Sequence, residues 1–158
     1  MPQTWMTRKG VHVDRIASAW LIRRFIEPDA VFRFVDEGSP PHRPGEIRFD
    51  MFEGEFTHRD SLCTFEVLLA DNGLAGGALQ SIGEIIHDLD LKDRRFKRPE
   101  TAGFASLLAA IVNTHADDMV RIDRGSALLD ALYASFKGSN HASFNGSNRT
   151  RSLTEVMS

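Results

Sequence analysis

Apolar and polar positions alternate with two different periods along this chain, and the change of period divides it. Thr4 to Arg8 is a short run of β-forming residues, ended by Lys9-Gly10, and reads as a first strand. Val13, Ile16, Ala17, Trp20, Leu21 and Phe25 then recur at spacings of three and four, which predicts a helix over Val13 to Ile26. Asp14 falls in its first turn and Arg23 and Arg24 in its last, as the helix dipole favours, and Pro28 stops it. Val31 to Val35 reads as a second strand, so the chain opens with a βαβ unit. Gly38 to Gly45, with Pro40, Pro41 and Pro44, is a loop. Ile47 to Met51 predicts a third strand, continued after Gly54 by Glu55 to His58.

From Ser61 onward the period is helical. Helices are expected over Cys63 to Asn72, over Ala78 to Asp90, from Pro99-Glu100 through Val112, and from Asp117 to Phe136, with Gly125 a weak point in the last. The expected fold class is α+β: a small N-terminal sheet packed by a helical C-terminal two-thirds. Residues 1–136 form the domain. Residues 137–158 are rich in Ser, Asn and Gly, repeat the pattern Ser135 to Asn140 at Ser143 to Asn148, and are expected to be a flexible tail.

Composition narrows the function classes. The 158 residues suit one domain, and a net charge of −3 argues against direct nucleic-acid binding. No apolar run approaches the roughly 18 residues of a membrane helix, and Arg23 and Arg24 break up any signal-like segment. One cysteine permits no internal disulfide. These features lead us to expect a cytoplasmic protein with no membrane partner. A homo-oligomer is compatible with the sequence.

The candidate chemistry lies in two segments. Phe56 to Glu66 contains His58, Cys63 and Glu66, and His87-Asp88-Leu89-Asp90 follows about twenty residues later. Two short helices joined by few residues run antiparallel, which would bring the start of the first beside the end of the second. His58, Glu66, His87 and Asp90 are thereby expected to converge on a divalent metal such as iron or zinc. Asp14, Asp50 and Asp88 are candidates to orient the imidazoles. The plainer alternative is a helix histidine paired with a carboxylate. Asp88 points off the apolar stripe and reads as a solvated charge. Cys63 is either a buried hydrophobe or a helix-start thiolate. Two Glu-x-x-His strings, Glu55 to His58 and Glu84 to His87, lack the bundle setting of di-iron proteins. Arg15 sits where the dipole would prefer an acid, so it is the candidate contact for a small oxyanion, whereas Arg23 and Arg24 read as a solvated face.

Several strings together resemble the chromate-resistance protein family, specifically the C-terminal domain of ChrB-type proteins. They are Thr7-Arg8, Val13 to Phe25, Phe49-Asp50-Met51, Phe56-Thr57-His58, Cys63 to Glu66, His87 to Leu91, Pro99-Glu100, Arg124-Gly125 and Ala131 to Ala134. The resemblance runs from about Thr4 to Phe136. It implies a link to chromate resistance, and ChrB-type proteins resemble chromate-responsive regulators. It assigns no reaction. Two functional readings result: a metal-binding domain acting in chromate or oxidative stress, and a non-enzymatic oxyanion sensor or regulatory partner module.

Overall fold

A computed structural model describes residues 2–36 and 42–142. Three parallel strands, β1 (Thr4–Arg8), β2 (Val31–Val35) and β3 (Ile47–Arg48), form a sheet in the order β2-β1-β3. Five helices pack with it: α1 (Val13–Leu21), α2 (Thr64–Asp71), α3 (Gly77–Leu91), α4 (Thr101–Thr114) and α5 (Asp118–Ala142). The fold is α+β, with all regular structure after Arg48 helical.

β1 is central, and its register with β2 runs from Thr4 opposite Val31 to Arg8 opposite Val35. Trp5, Met6 and Thr7 are buried, as a strand paired on both sides requires. α1 supplies Ile16, Ala17, Trp20 and Leu21 to the core and ends in a π-helical turn over Ile22–Ile26. The expected helix over Val13 to Ile26 is therefore continuous but changes pitch.

The third strand is shorter than the sequence pattern suggests. Asp50 (φ +49°) and Glu53 (φ +59°) adopt left-handed backbone, which no extended strand accommodates. Glu55 does not extend the sheet, because its carboxylate accepts the Arg48 amide at 2.7 Å. A single bridge, Phe49 with Phe56, is what remains of the expected Glu55-to-His58 continuation.

α5 docks α1 through specific groups. Asp130 accepts hydrogen bonds from the Trp20 indole at 2.7 Å and from two nitrogens of Arg24 at 3.0 Å each. Arg23 lies 3.6 Å from Asp123. Arg23 and Arg24 are thus not a merely solvated face; they fasten α1 and its π-helical turn to α5. Gly125 is no weak point either. A Cβ there would sit 2.5 Å from Cγ2 of Ile16, so glycine is what lets the two helices approach. α5 also continues beyond the expected end at Phe136 to Ala142, and residues 143–158 of the expected tail lie outside the described residues. No helix among the described residues is long and apolar enough to cross a membrane.

Gly125→Ala should therefore destabilise. Overpacking costs about 1–3 kcal/mol, against a propensity gain of up to about 1 kcal/mol for alanine over glycine. Urea denaturation should show a lower midpoint. A midpoint equal to or above that of the parent would mean that Ile16 moves aside freely.

Candidate metal centre

The start of α1 faces the start of α2, and one carboxylate joins them. Asp14, in the first turn of α1, accepts the Thr64 amide at 2.9 Å and the Phe65 amide at 3.0 Å. These amides belong to the first turn of α2, which has no helical partners for them. Asp14 thus caps a helix other than its own, and its side chain is 2 % exposed. Burial, with the charges of Asp50 and Asp90, pushes its carboxyl up to about 7.

Asp50 holds the opposite wall. Its carboxylate accepts the Thr64 hydroxyl at 2.9 Å and pairs with Arg15 Nε at 3.1 Å. Its carbonyl accepts two further hydrogen bonds from Arg15, at 3.1 and 2.9 Å. Burial raises the Asp50 carboxyl above its ordinary value, and Arg15 and Thr64 limit the rise.

His58 enters from the loop after the Phe49–Phe56 bridge. A tight turn at Asp60 (φ +54°) pairs Arg59 with Leu62 and fixes where the loop leaves. The imidazole Nε2 is 2.5 Å from Asp90 Oδ2 and 3.8 Å from Asp14 Oδ2. Its Nδ1 is 3.5 Å from Asp50 Oδ1. Burial opposes the imidazolium, but the Asp90 hydrogen bond and the charges of Asp14, Asp90 and Asp50 prevail, so the pKa is raised. The adjoining cleft, about 360 Å³, is lined by His12, Asp14, Arg15, Asp50, Leu89, Asp90 and Lys92 among others.

The second histidine has a different setting. His87 is fully buried, with Nδ1 2.6 Å from Glu66 Oε1 and Nε2 2.8 Å from Asp93 Oδ2. Glu66 Oε1 also accepts the Cys63 amide at 3.1 Å, closing the first turn of α2. Burial disfavours the charged ring, yet its two carboxylate partners raise its pKa. The Phe96 ring lies edge-on to it, with centroids 5.1 Å apart.

Ligating atoms within 4.8 Å of one another form two groups among the described residues: Asp14 with His58 and Asp90, and His87 with Asp88 and Asp93. The four expected ligands are therefore divided, His58 with Asp90 and His87 with Glu66. No such group joins the two imidazoles. The antiparallel hairpin of α2 and α3 does form, since Glu66 near the start of one reaches His87 near the end of the other. The division arises because Glu66 is drawn into its own helix cap beside His87, while Asp90, one turn on, faces α1.

The chain belongs to the ChrB C-terminal domain family. The family model described as ChrB, C-terminal domain, matches residues 5–136. Protein ChrB of Cupriavidus metallidurans is 38 % identical over 135 residues, covering 84 % of this chain and 40 % of that protein. The chain thus spans about two fifths of the length of this relative. No solved structure matches.

Within this ChrB-type domain the remaining candidates fall as follows. Arg15 is committed to Asp50 and stands among three aspartates, a poor setting for an oxyanion. Asp88 is not a solvated charge: it accepts the Phe96 and Lys97 amides at 3.0 and 2.7 Å. Cys63 is fully buried, and desolvation raises its thiol pKa, the reverse of an activated thiolate. Asp14 and Asp50, considered from sequence only as orienting groups, are the walls of the cleft around His58. The one signal for Asp14 was its place in the first turn of α1, which the dipole alone explains equally well.

His87 gives a pH prediction. Its folded pKa lies above the ordinary value near about 6.5, so its contribution is complete below that value and is lost as pH rises through the folded pKa. His87→Ala should cost about 3 kcal/mol near pH 6, because it removes a fully buried ring and leaves half-buried Glu66 without that partner. The deficit should shrink toward pH 9. Denaturation curves at several pH values test this, and a deficit independent of pH would mean that the ring is neutral throughout.

Proposed function

We propose that this domain binds a divalent metal ion through Asp14, His58 and Asp90, and that it serves chromate resistance in this role. The observation that carries the reading is the convergence of two carboxylates on one imidazole at the edge of an open cleft. The short His58–Asp90 contact is a proton bridge. A metal with bonds of roughly 2.0–2.2 Å would replace that proton and open the contact by a few tenths of an ångström. Asp14 Oδ2, 3.8 Å from Nε2, already stands at a distance suited to a shared ion. Iron, zinc and manganese all accept such a mixed nitrogen and oxygen set. Asp50 and Thr64 lie against the other ring nitrogen, as outer partners of a ligating histidine do.

The His87 cluster supports a structural role better. Both of its ring nitrogens face carboxylates, and Asp88 is occupied by two backbone amides. The chromate link draws on family membership and on the resemblance to chromate-resistance proteins. Arg15 as an oxyanion contact is the weaker alternative, since an entering anion would have to displace Asp50 and approach Asp14 and Asp90.

Protein purified without a histidine tag and stripped of metal should bind one equivalent of Fe(II), Zn(II) or Mn(II). Asp14→Asn, His58→Ala and Asp90→Asn should each weaken binding about tenfold or more, with His87→Gln little changed. Affinity should increase from pH 6 to pH 8. Asp14 has a carboxyl near 7 and His58 a raised pKa, so both give up protons to ligate. Calorimetry in two buffers of different ionisation enthalpy would detect the released protons. Absence of stoichiometric metal, or affinity that falls over this pH range, overturns the reading. Loss of binding in the His87 variant alone would transfer it to the other cluster.

A further inference from the structure

A second cleft lies against the metal cleft and has the opposite charge. It measures about 680 Å³ and is lined by Lys92, Arg94, Lys97 and Arg98, with Leu89, Pro99 and Ala102 as its apolar residues and Asp88 and Thr101 beside them. Leu89 and Lys92 also line the first cleft, so the two share a wall.

Among the described residues Arg15, Arg23, Arg24, Arg33, Arg48, Arg59 and Arg98 are paired with acids, and the net charge of the chain is −3. Lys92, Arg94 and Lys97 are exceptions: their side chains make no hydrogen bond or ion pair among the described residues. Arg98 is held by Glu84 and Glu100, each at 3.3 Å. Asp88, the acid in the cleft, is spent on the Phe96 and Lys97 amides, and Asp93 is spent on His87.

The loop that carries these cations is left-handed at three positions, the first of them the C-cap of α3. Lys92, Arg94 and Lys97 have φ of +57°, +54° and +52°. Left-handed backbone disfavours a residue with a Cβ, and glycine would relieve it. The three residues that carry this strain are the same three that turn unpaired cations to the cleft. Asp88 and Asp93 hold the strained loop through its amides. Two atoms on the same border, Arg98 Nε and Thr101 Oγ1, are buried without a partner.

We propose that this cleft binds a small organic polyanion, a molecule with two or more negative charges on a body of roughly nucleotide size. Three unpaired cations supply the charge recognition. The volume exceeds what a single tetrahedral oxyanion fills and falls within the range of small-molecule sites. The apolar lining of Leu89, Pro99 and Ala102 suits a ring or carbon body rather than a bare inorganic ion. The proposal does not depend on the neighbouring metal.

The test is calorimetric titration of the full chain, stripped of metal and dialysed free of chelator, with ADP and with inorganic phosphate, at low and physiological salt. ADP is expected to bind, more weakly as salt rises, with phosphate about tenfold weaker or worse. The Arg94→Gln/Lys97→Gln double variant should lose about tenfold or more in ADP affinity at unchanged melting temperature. Arg94→Lys/Lys97→Arg should recover most of it, and Arg124→Gln, away from the cleft, should lose none. Lys92 is left intact because it borders both clefts. Phosphate binding as tightly as ADP would overturn the organic part of the proposal. No ADP binding, or ADP binding undiminished in the double variant, would overturn it entirely.

Discussion

The Asp14 carboxylate is the constraint on which much of this domain depends. It lies in the first turn of α1 yet closes the first turn of α2, through the Thr64 and Phe65 amides. Fixing the start of α2 fixes Thr64, whose hydroxyl reaches Asp50, and Asp50 in turn holds Arg15. One buried carboxylate therefore sets the distance between two helices and the loop after β3. A neutral side chain of the same shape could accept fewer of these hydrogen bonds. Those amides are also what keeps a carboxylate tolerable in a place where burial and two neighbouring aspartates oppose its charge.

The fold was legible because it rests on periods. Spacings of three and four marked each helix, and the strand-helix-strand opening yields the parallel pair of β1 and β2. The pattern failed where conformation and side-chain direction replace periodicity. Asp50, Glu53 and Asp60 sit at positive φ, and nothing in an apolar pattern marks such positions. Gly125 is the same failure in reverse. Read alone, a glycine within a helix looks like a defect, and only its contact with Ile16 shows it to be a crossing point.

The site was half legible for a related reason. Sequence spacing correctly implies that the α2–α3 hairpin brings Glu66 to His87, because two short helices leave little choice. It cannot assign a carboxylate among competing claims. Glu66 stands three residues after Cys63, so a helix cap and a ligand role fit the same position, and the cap holds it. His58 and Asp90 meet because a short loop returns to the end of α3, a contact across 32 residues that no local pattern records. Asp14 carried only the ordinary signature of an acid at a helix start. Its second role, on another helix, exists only once α1 and α2 are packed.

The two clefts give the end of α3 a polarity that the sequence conceals. On one side of Leu89 and Lys92, three aspartates crowd the His58 imidazole; on the other, Arg94 and Lys97 join Lys92 as unpaired cations beside apolar residues. In the first cleft Asp14 and His58 both hold protons more tightly than usual. A divalent cation that displaces one proton from each of these groups leaves the total charge of the cleft unchanged. The surrounding charges, Arg15 and Lys92 included, then have no reason to rearrange. Metal entry with loss of those protons would thus meet little electrostatic resistance. An anion arriving there would meet Asp50 and Asp90 with no such exchange available. The same charge logic that would favour a cation in the first cleft would direct an anion across the shared wall.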